Sequence, residues 1–230
     1  MGSSPHQLSR AEEDYLSDLY RLAADGPVRT GEIAQRLGVT PASASGMLKH
    51  LSHEGLVEHR GYGATSLTPD GERAALQVVR RHRVIERFLT DTLQFGWEQV
   101  DVLAHQMEHA LPDVVVDAIE CLLGDPATCP HGHPIPDRDG HVAAEPALTV
   151  AGLLPGERAR VGEVDEFDPS LLAYLRSRGL VPGALLLVTQ VNPIDATVVV
   201  EVPNVGPTAL APATARAVRV AREIPQGGKT

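Results

Sequence analysis

Aromatic residues, cysteines and long apolar runs are all scarce in this chain. Phe, Trp and Tyr make up 3% of the sequence, too few for the stacked aromatic platforms that hold single-stranded nucleic acid. The two cysteines, Cys121 and Cys129, cannot form a disulfide framework, which favours a reducing compartment. No apolar run approaches the length of a membrane span, and the first residues lack the features of a signal peptide. We therefore expect a cytoplasmic protein with no membrane partner.

The chain is acidic overall, with a formal net charge of −10 over 230 residues. That length is enough for two or three small domains. Net negative charge weighs against nucleic-acid binding, because phosphate contacts need a basic surface. The charge must therefore be judged locally, and residues 40–53 contain Lys49, His50 and His53 but no acid.

The first third of the chain predicts a DNA-binding fold. Helices are expected at residues 10–24, 30–37 and from 41, the last capped by Thr40 with Pro41 at its first position. Two short helices joined by a tight turn at Gly38 are typical of a helix-turn-helix. Alternating residues 56–60 and 64–67 around a turn predict a wing. The expected DNA contacts are Thr40, Ser43, Ser45, Gly46, Lys49 and, in the wing, Arg60. A small helical domain without a DNA role is the alternative.

A stripe of metal-ligand residues follows on a later helix. Spacings of four, seven and eight residues place Asp101, His105, Glu108 and His109 on one helical face. The pentad from His105 to His109 fits H-x-x-E-H, the inverted zinc-peptidase motif, in which the glutamate is the general base. It equally fits a metal sensor in which the glutamate is a ligand. A solvated polar helix face is the third interpretation.

Other residues in the middle of the chain could also hold a cation. A long helix from residue 69 to about 92 carries His82 and Glu86 four residues apart, able to clasp a cation or to hydrogen-bond each other. Together with the next two predicted helices, it gives the three consecutive helices that a helical dimerisation domain requires. The segment from Cys129 to Pro136 is rich in Pro and Gly, so we interpret it as an ordinary loop rather than a ligand cluster.

From residue 148 the sequence changes to short apolar alternating runs. Strands are expected at residues 158–161, 184–190, 196–201 and 205–210, with one helix at 169–178. A small SH3-like barrel is the natural closure for strands this short. Nothing in this region looks catalytic.

Taken together, these residues resemble the diphtheria-toxin-repressor family of metal-dependent transcriptional regulators, most closely its manganese-responsive branch. The resemblance covers nearly the whole chain and rests on the combination of Arg81-His82-Arg83 with Glu86, Met107-Glu108-His109, and His131-Gly-His133-Pro-Ile-Pro136. It implies a mainly α protein with a small β domain. A winged helix-turn-helix at residues 1–72 would precede a helical dimerisation and metal-binding domain at 73–146 and an SH3-like domain of the FeoA type at 147–225.

The resemblance also implies two metal sites. The primary site would consist of Asp14, His105, Glu108 and His109, and an aspartate at position 14 is what the manganese branch uses. His105 stands where relatives carry Glu or Cys. The ancillary site would consist of His82, Glu86, Asp101 and, from the SH3-like domain, Asp168.

These sites predict a homodimeric repressor of metal-uptake genes that binds double-stranded operator DNA when Mn(II) is bound. Fe(II) is the alternative activator, since two imidazoles raise the affinity for iron, cobalt and zinc along the Irving–Williams order. Zn(II) or Co(II) would substitute in vitro. No small organic ligand is expected. The peptidase hypothesis leaves the winged helix and the SH3-like tail without roles.

Overall fold

The structure is a computed structural model that describes residues 8–23, 26–59, 64–144, 146–165 and 168–223. Its helices are α1 Arg10–Leu22, α2 Thr30–Arg36, α3 Pro41–His53, α4 Pro69–Asp91, α5 Val100–Met107, α6 Asp113–Leu122, α7 Pro169–Ser177 and α8 Pro212–Arg216. Its strands are β1 Val28–Arg29, β2 Val57–His59, β3 Ala64–Leu67, β4 Leu148–Thr149, β5 Arg158–Val164, β6 Leu185–Val191, β7 Val198–Val202, β8 Gly206–Leu210 and β9 Val218–Arg222. In the part of the chain described, no helix is long and apolar enough to cross a membrane.

The chain divides into two compact units. The first contains residues 1–81, 108–110 and 136–141, and the second contains residues 82–107, 111–135 and 142–230. Each unit therefore combines segments that are distant in sequence. The turn after α5 belongs to the unit that also contains α1.

The first unit is a winged helix-turn-helix, as predicted. Apolar side chains at helical spacing on α1, α2 and α3 meet in one core, which includes the fully buried Leu16, Ile33 and Leu48. A three-stranded sheet in the order β1-β3-β2 supplies the wing. The turn between β2 and β3, with Arg60, lies outside the described residues.

A capping box fixes the start of α1. The side chain of Ser9 accepts the N–H of Glu12, and the Glu12 carboxylate accepts the N–H of Ser9 at 2.7 Å. This reciprocal pair satisfies two backbone groups that a helix end leaves open. The helix therefore begins at Arg10. This fixed start sets the directions in which the side chains of residues 12 to 14 point.

α5 is shorter than the sequence predicted. The apolar pattern extends to Leu111, but the helix ends at Met107, and residues 108–110 form a turn. One helical hydrogen bond, from Leu111 N–H to Met107 O at 3.2 Å, persists across that turn. Glu108 and His109 thus leave the regular helix, although the prediction placed them on it.

The SH3-like domain lies in the second unit and has one six-stranded antiparallel sheet in the order β4-β9-β5-β6-β7-β8. The sequence predicts four of these strands, but not the short β4, the helix α8 or the strand β9. β9 pairs with both β4 and β5, so it sits inside the sheet rather than at an edge. The core of the SH3-like domain is almost wholly aliphatic, with Val161, Val188 and Val200 buried.

Candidate metal centre

Three of the four residues implied for the primary site come together in the first unit. Asp14 projects from the second turn of α1, and Glu108 and His109 project from the turn after α5. His109 Nε2 lies 2.8 Å from Asp14 Oδ1 and 3.2 Å from Glu108 Oε1. One ligand atom of each residue lies within 4.8 Å of the others. This spacing is compact enough for a single cation to contact all three.

His105 occupies a different setting from the other three. It lies on α5 in the second unit, three residues before Glu108, and its side chain is exposed. Residues three and four apart share one face of a helix. Because Glu108 and His109 lie beyond the end of α5, the place of His105 in the ligand set stays a prediction from the sequence.

A carboxylate that the sequence analysis did not single out holds the other side of His109. Glu13 Oε2 lies 2.6 Å from His109 Nδ1, and Glu13 Oε1 lies 2.7 Å from Arg81 Nη2. The run of three acids, Glu12 to Asp14, was visible in the sequence. Nothing in that run shows which acid faces which partner, because neighbouring helical residues point in different directions.

The charge around His109 is strongly negative. Burial opposes protonation of the imidazole, but hydrogen bonds to Glu108 and Glu13 and the nearby Asp14 charge outweigh it and raise the pKa of His109 to about 9. A site that stabilises a proton in this way also stabilises a cation in its place. Two carboxylates and an imidazole form a donor set that suits divalent ions such as manganese and iron. The residues present therefore fit a metal ion.

A second cluster lies in the second unit, around Glu86. Glu86 and His82 are both fully buried, and His82 Nε2 lies 3.5 Å from Glu86 Oε1 and 3.3 Å from Asp101 Oδ1. The three residues predicted from α4 and α5 thus form one group of close ligand atoms. Asp101 and Glu108, which were predicted to share one helical face, therefore belong to different clusters: Asp101 lies with Glu86, and Glu108 lies with Asp14.

The loop after α6 adds two more donors to Glu86. His131 Nδ1 lies 3.2 Å from Glu86 Oε1, and Cys129 Sγ lies 4.0 Å from His131 Nδ1. These three residues form a second, overlapping group of buried ligand atoms. The Pro- and Gly-rich sequence predicts an ordinary loop here. Composition alone does not reveal which distant residues such a loop contacts.

Specific contacts hold this loop in place. Arg83 Nη1 donates to Pro134 O at 2.5 Å, and Arg87 Nε donates to Thr128 O at 3.0 Å. The His131 ring stacks on Trp97 with 5.6 Å between ring centroids, and its Nε2 lies 2.8 Å from Trp97 O. Guanidinium groups on α4 thus replace the backbone partners that a loop lacks.

Mutual attraction sets the protonation of this second cluster. Burial raises the pKa of Glu86, but the neighbouring His82 and His131 outweigh it and hold the pKa well below its usual range. The pKa of His131 is raised in turn, because hydrogen bonds to Cys129 and Glu86 outweigh its burial. A buried anion with two imidazoles beside it is an arrangement that a cation could equally neutralise.

Asp168, predicted as an ancillary ligand, caps a helix in this structure. Its Oδ1 accepts the backbone N–H groups of Ser170 and Leu171 at 2.8 and 3.3 Å and so caps α7. Within the described ranges it joins neither group of ligand atoms. Glu163 of the SH3-like domain contacts the loop after α6, since its Oε2 lies 3.4 Å from His133 Nδ1.

The second helix of the helix-turn-helix presents a polar, acid-free face. Ala44, Leu48 and Leu51 of α3 are buried. The predicted contacts Thr40, Ser43, Gly46 and Lys49 are exposed and Ser45 is half-buried. The Thr40 side chain caps the helix by accepting the N–H of Ser43 at 3.1 Å. α3 therefore has the surface that a recognition helix needs.

A winged-helix head, a helical region with clustered metal donors and an SH3-like tail define a class of protein: a metal-responsive DNA-binding regulator. The chain matches, in order, the models for the iron-dependent repressor N-terminal DNA-binding domain at residues 7–65, the iron-dependent repressor metal-binding and dimerisation domain at 68–137, and the FeoA domain at 148–222. The chain belongs to the iron-dependent repressor family, to which the diphtheria toxin repressor belongs.

Individual relatives agree with this assignment. The diphtheria toxin repressor of Corynebacterium jeikeium is 33% identical over 198 residues, covering 76% of this chain and 82% of that protein. The iron-dependent repressor IdeR of Mycobacterium tuberculosis is 29% identical over 209 residues, covering 85% and 90%. A solved structure of a manganese-dependent transcriptional repressor in complex with manganese has a TM-score of 0.87 and 33% identity, covering 92% of this chain and all of that one. Membership of a family of DNA-binding repressors does not favour the hypothesis that the chain is a zinc peptidase.

Proposed function

We propose that this chain is a homodimeric transcriptional repressor that binds operator DNA when Mn(II) occupies the cluster of Asp14, His105, Glu108 and His109. Its targets would be metal-uptake genes, and it would act in the cytoplasm, where the chromosomal DNA lies. The observation that carries the proposal is the meeting of Asp14 with Glu108 and His109 around one point.

The ligand set links distant parts of the chain. Asp14 comes from α1 of the winged-helix region, whereas the other proposed ligands lie more than ninety residues downstream in the region that matches the dimerisation model. The bound cation would supply a positive centre that all these donors share. Asp14 would then hold α1, and with it the recognition helix, in one orientation. By linkage, operator DNA must tighten metal binding by the same factor.

The donors favour manganese among the available ions. Carboxylate oxygens suit hard cations, and Asp14 and Glu108 supply them, while the imidazoles of His105 and His109 also accept iron. Relatives of both kinds support a transition-metal activator, because one similar structure contains manganese and one curated relative is named an iron-dependent repressor. An Fe(II)-responsive regulator is the second candidate. Zn(II) or Co(II) would substitute in vitro, and a related ScaR structure with bound Zn(II) supports this for zinc (TM-score 0.80, 28% identity).

Exposed apolar side chains support a homodimer. On α5 and α6, Val102, Val114 and Leu122 expose 53%, 73% and 70% of their surface. A partner subunit would cover such side chains on both helices. The matched model for this region is named for dimerisation. Two α3 helices of such a dimer would enter successive major grooves about 34 Å apart.

We propose the second cluster as an ancillary metal site. His82, Glu86 and Asp101 would remain ligands, and Cys129 and His131 would join them from the loop. The thiolate and imidazole donors make this site softer than the primary one. The donor atoms of Asp168 would stay with the cap of α7.

An equilibrium titration tests the proposal. Fluorescence anisotropy of labelled DNA from upstream of metal-transporter genes would be followed with Mn(II), Fe(II), Co(II) and Zn(II) under anaerobic conditions. We expect Mn(II) to drive binding at the lowest free concentration relative to its cellular level. Activation by Fe(II) but not Mn(II) would establish the second candidate. Specific binding that is equally tight with a chelator present would exclude metal control altogether.

A further inference from the structure

One imidazole is held at both nitrogens by neighbouring residues of α1. His109 Nε2 lies 2.8 Å from Asp14 Oδ1, and His109 Nδ1 lies 2.6 Å from Glu13 Oε2. An imidazole binds a metal through only one nitrogen, and the hydrogen bond made by the other nitrogen sets the tautomer and the ring orientation. The nitrogen that faces Asp14 is therefore selected by the contact on the opposite side of the ring.

Glu13 is itself held by a cation from α4. Its second oxygen, Oε1, lies 2.7 Å from Arg81 Nη2, and the Arg81 and Glu13 side chains are only 12% and 18% exposed. Shielding from water makes such charged hydrogen bonds stronger than surface ion pairs. The three groups form a continuous row in which Arg81 restrains Glu13 and Glu13 restrains His109.

We propose that Glu13 is a positioning residue of the metal site, and that Arg81 acts on the site through it. Glu13 accepts the Nδ1 proton of His109 and so leaves Nε2, which lies beside the oxygens of Asp14 and Glu108, as the nitrogen whose proton a cation would displace. Its negative charge also makes the ring a stronger donor. The inference rests on the proposed function, because it takes His109 as a ligand.

Substitution of Glu13 tests this role directly. Glu13→Ala removes both the acceptor and the charge, whereas Glu13→Gln keeps an acceptor of the same length without the charge. We expect Mn(II) affinity, measured by competition with a chelator, to fall about 10- to 100-fold in Glu13→Ala, the range seen when the partner of a metal-bound histidine is lost. Glu13→Gln and Arg81→Met should show smaller losses. The absorption spectrum of the Co(II)-saturated protein should change in Glu13→Ala, because the His109 ring is no longer fixed.

A matched control lies on the same helix. Asp18 Oδ1 contacts Arg36 Nε at 3.4 Å, so Asp18→Asn also breaks a carboxylate–guanidinium pair of α1. This control should leave both the Mn(II) affinity and the Co(II) spectrum unchanged. The thermal midpoint of each metal-free variant shows how far folding is affected.

Asp14→Ala serves as the reference for the site. If Asp14→Ala weakens Mn(II) binding while both Glu13 variants keep the wild-type affinity and spectrum, the inference is overturned and the proposed function stands. The inference is equally overturned if Glu13→Ala lowers only the thermal midpoint and the saturated Co(II) spectrum matches the wild type. If Asp14→Ala itself binds Mn(II) as the wild type does, the proposed function fails and the inference with it.

Discussion

Glu12 Oε1 lies 2.8 Å from His50 Nε2, which joins the first turn of α1 to the helix that presents the polar face for DNA. The same carboxylate closes the capping box with Ser9 through its other oxygen. Burial raises the pKa of Glu12, but the hydrogen bonds from Ser9 and the His50 contact outweigh it and lower the pKa to about 2. The ionised carboxylate is therefore the form that stabilises the fold.

Glu12→Gln should lower the free energy of unfolding of the metal-free protein at pH 7 by about 1 to 3 kcal/mol, because a buried charged hydrogen-bond acceptor is lost. Since the pKa is lower in the folded state, this contribution is complete above pH 4.5 and fades as the pH falls towards 2. Urea unfolding at several pH values checks both statements. Glu32→Gln is the matched control: Glu32 caps α2 in the same way but is exposed, so its loss should be smaller. A difference from wild type that does not shrink in acid would contradict the account.

Gly132 lies in the loop after α6 that carries Cys129 and His131, at the point where this loop meets the SH3-like domain. Its φ is +94°, and an added Cβ would overlap the backbone oxygen of Gly162. On either side of it, Val164 N–H donates to His131 O at 3.0 Å, and His133 Nε2 lies 3.1 Å from Val164 O. The loop and β5 therefore fit together only with glycine at position 132.

Gly132→Ala should separate the loop from β5 and expose the segment to proteolysis. Gly156→Ala is the control, because Gly156 has a similar φ of +89° but open space around its Cα. The control should cost only the backbone strain, about 1 to 2 kcal/mol. Limited proteolysis and thermal unfolding measure both variants. Equal effects of the two substitutions would show that the close approach to Gly162 has no importance.

Lys49 is the one basic side chain on the exposed face of α3 whose charge does not depend on a histidine proton. If it contacts a phosphate, Lys49→Ala should weaken binding to operator and unrelated DNA alike, and it should reduce the salt slope by about 1. Affinities measured at several salt concentrations test this. Arg222→Ala, on β9 and paired with Glu157 at 3.1 Å, is a control for loss of one positive charge. An unchanged salt slope in Lys49→Ala would remove this residue from the DNA interface.

Glu86 is the residue common to both groups of donors in the second cluster. Glu86→Gln should abolish one class of metal binding while the class that needs Asp14 remains, because the amide cannot replace the charge between two imidazoles. Metal analysis after equilibrium dialysis gives the stoichiometry per subunit. Asp168→Ser keeps a capping side chain on α7 and should leave the stoichiometry unchanged. Loss of an ion in Asp168→Ser would return Asp168 to the ligand set.

Local sequence signals predicted every described helix except α8, although α5 is shorter than predicted, and they predicted most of the described strands. The cap at Thr40 and the start of α3 at Pro41 are short-range features, so the sequence pattern alone located them. β4 was not predicted because two residues are too short to show alternation, and β9 was not predicted because its short alternation of Val and Arg directly follows an Ala-rich run. Their pairing depends on residues seventy positions apart.

The candidate sites were predictable in proportion to how local they are. His82 with Glu86, and Glu108 with His109, share single segments, and the resemblance added Asp14. The structure adds partners that only the tertiary fold supplies: Glu13 against His109, and His131 against Glu86. The end of α5 at Met107 also depends on tertiary contacts, since the apolar periodicity continues beyond it. The sequence does not reveal the role of Asp168, because an acid just before Pro169 at a helix start can cap the helix as readily as bind a cation.

The central claim is that Asp14 links α1 to Glu108 and His109 through a shared cation. Its most direct test is the anisotropy of labelled operator DNA titrated with Mn(II), for the wild type and for Asp14→Ala. Asp14→Ala should fold normally but need a far higher Mn(II) concentration to bind operator, or fail to bind it at any concentration tested. Operator binding by Asp14→Ala at the same Mn(II) midpoint as the wild type would contradict the account.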